Sequence, residues 1–196
     1  MTGRGIAALA FWLWGGLALA AEPVATAVLF NTVCANCHDL ECSGGLSPLC
    51  AQGGAERARG HMERHAGSLS GDTVAGLFSL LEEAKKGCLR PFPTVPVPAE
   101  RVWDETALRP FLLPSGKAAF IPLGELAPGS HRWRVTGRAE TVVRAEILAG
   151  PDQGVGMELH DLGQGGIVEI TLEEKAPTFL RLRSAQPFRL TGVSPQ

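Results

Sequence analysis

Four prolines, Pro91, Pro93, Pro96 and Pro98, fall within residues 91–99. Each fixes its own φ and lacks an N–H donor, so neither a helix nor a central strand passes through such a stretch. The prolines therefore predict an extended, semi-rigid linker. Residues 21–90 before it are patterned mainly like helices, and residues 100–196 after it like strands and turns. All five cysteines lie between Cys34 and Cys88, ahead of the linker. The two sides therefore differ in chemistry as well as in pattern.

The chain begins with a basic residue, Arg4, followed by an uncharged apolar run from Ile6 to Ala21. The run ends in Ala18-Leu19-Ala20, a small-x-small pattern, and is short beside the roughly 20 apolar residues of a membrane span. Residues 1–20 read as a secretory signal peptide. An uncleaved signal anchor is the alternative, and would be the only membrane attachment. The mature chain is then an exported bacterial protein of the periplasm, where disulfides persist. Lys plus Arg is 18 against 20 for Asp plus Glu, a net charge of −2. That balance gives no reason to expect nucleic acid as a partner, because phosphate binding needs a basic excess.

In the helical segment, Pro23 suits a first helical turn, with a helix over Val24 to Val33. Ser70 is an N-cap candidate with Asp72 in the turn after it. Val74, Leu77, Phe78 and Leu81 recur at helical spacing on one face. Lys85 and Lys86 suit the C-terminal end of that helix. Residues 39–60 are poor in large apolar groups. A segment of this size with so few core side chains is marginal alone, so another group is expected to fill its centre.

Cys34-Ala35-Asn36-Cys37-His38 supplies the candidate. In C-x-x-C-H two thiols three positions apart can both attach to haem vinyl groups, and the following histidine reaches the iron. A redox dithiol would sit after a strand in a βαβ unit, which this pattern lacks. A zinc site would need a second ligand pair, and Cys42 with Cys50 is a loose fit. The sequence therefore predicts one covalent haem c, held by Cys34 and Cys37 with His38 as proximal ligand.

With these residues the segment from about 24 to 87 resembles class I c-type cytochromes. Phe30 stands four residues before the first haem cysteine, where that family carries an aromatic that packs on its last helix. Thr26 stands where the family has a helix-crossing glycine. Leu69-Ser70-Gly71-Asp72-Thr73-Val74-Ala75-Gly76-Leu77 runs parallel to the family's last helix, with Leu80 in place of its aromatic. The resemblance implies a small all-α haem domain and single-electron transfer.

The sixth iron ligand stays open. Met62 lies seven residues before Leu69, where the family's axial methionine stands, but Met62-Glu63-Arg64-His65 lacks the proline that usually follows. Without it His61 to His65 can continue as helix, with His61 and His65 on one face and Met62 about 100° away. Met62, His65, His61 and an open site are the alternatives. Cys42, Cys50 and Cys88 could form a disulfide whose pairing sequence does not assign. Arg57 and Arg59 read as solvated charges in preference to propionate partners.

The C-terminal half carries period-2 runs. Trp133 and Val135 alternate with Arg132 and Arg134. Val143, Ala145 and Ile147 alternate with Arg144 and Glu146. Leu180 and Leu182 alternate with Arg181 and Arg183. Glycine-rich turns separate the runs, which argues a small antiparallel sandwich or jelly roll. Its pattern weakly resembles bacterial accessory β-sandwich domains. The fold expected of the whole chain is a small all-α cytochrome c-like domain followed by an all-β sandwich or jelly-roll domain. Trp103 reads as a core residue, and His131 and His160 as turn or surface residues. No HExxH, GxSxG or P-loop pattern is present, so no catalytic residue is expected. The leading function is a periplasmic monohaem electron carrier with a redox partner protein, its β half docking or binding a ligand that sequence does not name. A haem-based sensor or gas-binding protein with a displaceable sixth ligand is the alternative.

Overall fold

Alternation of apolar and polar residues after residue 100 produces the strands that dominate the molecule. The computed structural model describes residues 21–36, 54–87, 95–150 and 153–196. Eight strands are present among them: β1 (Trp103–Asp104), β2 (Ala118–Leu126), β3 (Gly129–Ala139), β4 (Val143–Ala149), β5 (Gln153–Leu159), β6 (Gly166–Leu172), β7 (Ala176–Ser184) and β8 (Phe188–Pro195). They form two four-stranded sheets, ordered β1-β8-β3-β6 and β2-β7-β4-β5, and every pairing is antiparallel. Eight strands in these two orders make the double-sheet arrangement of a jelly roll.

The core lies between the sheets. Trp133, Val135, Val168, Ile170, Leu190 and Val193 of the first sheet join Ile121, Val143, Ala145, Ile147, Leu180 and Leu182 of the second in one buried cluster. Trp103 is buried in the same core, its ring edge-on to Phe111 with centroids 5.0 Å apart. Gly137 sits at a register shift between β3 and β8. A Cβ there would fall 2.2 Å from the Arg189 carbonyl oxygen, so only glycine permits this approach.

The second sheet is covered on its outer face as well. Phe120, Phe179, Arg181, Glu146 and Leu148 alternate with the inward residues and point away from the first sheet. The rings of Phe120 and Phe179 stack there with centroids 5.1 Å apart. Helix α1 (Ala21–Thr32) lies over β2 and β7, and its Val24 and Val28 extend the main buried cluster onto this outer face. Val95 and Val97, in the second half of the proline-rich stretch, are half-buried against the same core. The remaining helices are α2 (Gly54–Ala66), α3 (Gly71–Gly87) and the short α4 (Glu105–Leu108), which Asp104 caps by accepting from the Ala107 amide at 2.8 Å.

This arrangement corrects the sequence reading. A separate all-α cytochrome c-like domain ahead of a β domain is not what the chain forms; the architecture is predominantly β, with four short helices among the described residues. The physical reason lies in α1. Its Val24, Val28 and Asn31 stripe docks on the second sheet and not on other helices. That leaves Phe30 and Leu77 as the buried apolar pair between α1 and α3 among the described residues. A helical group this thin is a layer on the sandwich. The resemblance to class I c-type cytochromes therefore does not hold as a statement of fold.

Candidate cofactor site

Helix α1 ends where its sequence turns to residues that bond their own backbone. Asn31 Nδ2 donates to the Ala27 carbonyl at 2.9 Å, and Thr32 Oγ1 to the Val28 carbonyl at 2.7 Å. Such i−4 bonding by Asn and Thr weakens helix continuation. The chain leaves α1 through Val33 into a single 3-10 turn, Cys34–Asn36. Cys34 is half-buried there and packs against the cluster of Phe30 and Leu77. Cys37 and His38 lie outside the described residues, as do Cys42, Cys50, Cys88 and residues 1–20.

The other side of that cluster comes from α2, the turn after it, and α3. Met62 of α2, Leu69 of the turn, and Leu80 and Leu81 of α3 all pack on Phe30 and Leu77. Gly67 closes α2 at φ +82, its amide bonded to the Glu63 carbonyl at 3.0 Å, a left-handed helix end that favours glycine. Ser70 then caps α3, its Oγ accepting from the Thr73 amide at 3.1 Å. Arg59 braces the turn: its Nε lies 3.0 Å from Glu63 Oε1, and its Nη2 donates to the Leu69 carbonyl at 3.2 Å. The crossing of α1 and α3 is close at Gly76, where a Cβ would stand 3.0 Å from Thr26 Cγ2. The small residue of this crossing is thus on α3, opposite the buried Thr26.

The candidate ligands separate. Met62 faces the apolar cluster that also holds Cys34. His61, one position earlier, has its Nδ1 3.5 Å from Arg64 Nη2. His65 belongs to α2, but its side chain lies outside the description. Arg59 serves the α2–α3 turn, which agrees with its reading as a surface charge. In the β region His131 Nε2 is 2.7 Å from the Ala127 carbonyl, and His160 is exposed beside Glu158. Asp161 accepts from the amides of Gly163 and Gln164 in a turn. Among the described residues no three His, Cys, Asp or Glu side chains stand together as a metal cluster.

One constellation escaped the sequence reading. Arg181, Arg183, Arg144 and Glu146 occupy the polar positions of alternating strands, which implies a solvated face. In the structure Glu146 and Arg181 are buried, 7% and 5% exposed. Arg181 Nε and Nη1 donate to Glu146 Oε2 and to the Asn31 carbonyl of α1, respectively. Arg183 Nη2 reaches both Glu146 oxygens at 2.9 Å, and Arg144 Nε lies 3.2 Å from Oε1. Burial pushes the Glu146 carboxyl up, but Arg181, Arg183 and Arg144 outweigh it and hold its pKa below the usual carboxylate value. The available signal was α1, which is apolar on nearly every side and so needs a second surface to cover it.

No known protein family matches this chain, and no curated protein matches it. The likeness of the C-terminal half to bacterial accessory β-sandwich domains thus rests on alternation and turns that any small sandwich shares, and it is set aside with the cytochrome fold.

Proposed function

We infer that this chain carries one covalent haem c on the thiols of Cys34 and Cys37, with His38 and Met62 as iron ligands, and passes single electrons to a partner protein in the periplasm. The observation that carries the reading is the convergence of Cys34 and Met62 on one apolar cluster. A thiol of the C-x-x-C-H motif and a thioether 28 residues later both pack on Phe30 and Leu77. The donor set suits the group: a cysteine to anchor it, a histidine beside it, and a soft thioether of the kind that favours reduced iron.

When bound, haem c supplies a one-electron iron couple. The chain's own residues set the conditions. Cys34, at the end of α1, and Cys37 are the attachment points, and His38 follows them directly. Met62 is presented by α2, and Arg59 holds the turn behind it. Phe30, Leu69, Leu77, Leu80 and Leu81 provide an apolar surface, which disfavours added positive charge and so raises a reduction potential. Export is supported by the apolar stretch of residues 6–21. His61 turns to Arg64, which favours Met62 over it as sixth ligand.

The test is the intact mass of the chain matured in a periplasm competent for haem attachment. The reading predicts one added haem per chain that survives denaturation, and none in a Cys34→Ser, Cys37→Ser double variant. A wild-type chain of unmodified mass, matured under those conditions, overturns it.

A further inference from the structure

Helix α1 stands between two surfaces. At about 100° per residue, Val24, Val28 and Asn31 fall on one side, and Thr26 and Phe30 on the other. The first side meets the second sheet, with Val24 and Val28 in the main core and the Asn31 carbonyl accepting from Arg181 Nη1 at 3.3 Å. The second side meets α3, with Thr26 against Gly76 and Phe30 beside Leu77. Cys34 follows Asn31 by three residues.

Arg181 does not reach α1 as a loose side chain. Glu146 holds its Nε, and Glu146 is itself shared by Arg183 and Arg144. One carboxylate among three guanidinium groups leaves positive charge in excess. That excess lies by the last carbonyls of α1, the negative end of its dipole. A planar guanidinium clamped on one edge is pre-organised to donate from the other.

Resting on the haem reading, we propose that Arg181, clamped by Glu146, is a positioning residue that fixes the C-terminal end of α1 and with it the Cys34 attachment point relative to Met62. The sandwich then acts as the rigid support of the cofactor segment. Loss of the clamp would free the end of α1 and loosen the spacing of Cys34 and Met62, the residues that would hold the haem, so that an external ligand could compete with Met62.

The experiment uses the full chain matured in the periplasm, as wild type, Arg181→Met, Arg181→Lys and Arg183→Met. Hydrogen exchange reports on residues 29–36, and ferrous absorption with carbon monoxide and the midpoint potential report on the iron. Arg181→Met is expected to speed exchange in residues 29–36 by about ten-fold, the loss of one charge-assisted hydrogen bond, while β4 and β7 stay protected. It is also expected to become reactive to carbon monoxide and to shift in potential. Arg181→Lys should fall between it and wild type. Arg183→Met, which alters the same cluster but not the contact to Asn31, should match wild type in both readouts. Unchanged exchange, or faster exchange with unaltered carbon monoxide reactivity and potential, overturns the proposal. Should Arg181→Met not fold, Arg181→Lys carries the same comparison. If wild type carries no haem, the haem reading fails by itself, and exchange in residues 29–36 still decides whether Arg181 fixes the end of α1.

Discussion

The sandwich and the helical layer bury apolar residues on different scales. Among the described residues the main cluster holds 28 buried side chains, of which α1 supplies Val24 and Val28. The cluster between α1 and α3 holds two, Phe30 and Leu77, with a fringe of half-buried Leu29, Cys34, Met62, Leu69, Leu80 and Leu81. The first is a core that specifies itself. The second is a half-closed apolar surface on which two sulfur-bearing side chains stand. Stability thus resides in one region and candidate chemistry in the other, and α1 joins them by facing both.

Four substitutions sharpen that contrast. The largest effect belongs to the self-sufficient core. Leu180→Ala should cost about 4 kcal/mol, within the usual range for a fully buried leucine. In denaturant titrations the helical signal should be lost with the sheet signal, because the two-residue cluster that α1 shares with α3 is too small to hold the helices once Val24 and Val28 lose the sheet. Helices that outlast the sheets would show that the helical layer is stable without the sandwich.

Next comes the buried ion cluster. Glu146→Gln leaves Arg181 buried without its counter-ion and should cost about 3 kcal/mol at neutral pH. The pH dependence has a definite sign. The folded-state pKa of Glu146 lies below its unfolded value of about 4.3, so its contribution is complete above that value and lost as pH falls through the folded pKa. The gap between wild-type and variant melting temperatures should therefore narrow from pH 6 to pH 3. A gap constant with pH would show that Glu146 acts by packing alone.

A smaller effect is expected where the two regions meet. Val28→Ala removes two methyl groups from the main core although the residue belongs to a helix, at a cost of about 2 kcal/mol. Because that core is shared, the loss should appear in the cooperative unfolding of the sheets, and a variant that only frays α1 would argue against it. The smallest belongs to the helical layer. Ser70→Ala removes the α3 cap and should cost about 1 kcal/mol. Hydrogen exchange should rise in the first turn of α3 and leave β2 to β8 unchanged.

Much of the sandwich was legible in sequence because strand alternation is local. Trp133 and Val135, Val143, Ala145 and Ile147, and Leu180 and Leu182 read as inward residues, and all are buried. The N-cap at Ser70 was legible for the same reason. What surrounds a strand is not local. Arg181 and Glu146 sit at polar positions of their strands, and Arg181 is buried beneath α1, whose Asn31 lies 150 residues earlier in the chain. The same long-range docking set the role of α1: its all-round apolar surface implies a second neighbour, but nothing local identifies that neighbour as a sheet. At the candidate site, motif spacing brought Cys34 into view, and the relation of Met62 to Phe30 and Leu77 became visible only with the turn at Gly67 in place.

We propose that the Phe30–Leu77 cluster seats a haem between the Cys34 attachment point and Met62. The most direct measurement is the ferrous absorption spectrum of the periplasmically matured chain, with and without carbon monoxide, beside Met62→Ala. The expected result is a low-spin c-type spectrum that carbon monoxide does not shift in wild type, and a clear shift in Met62→Ala. A wild-type spectrum that shifts as far as the variant's, or the lack of any haem spectrum under competent maturation, contradicts it.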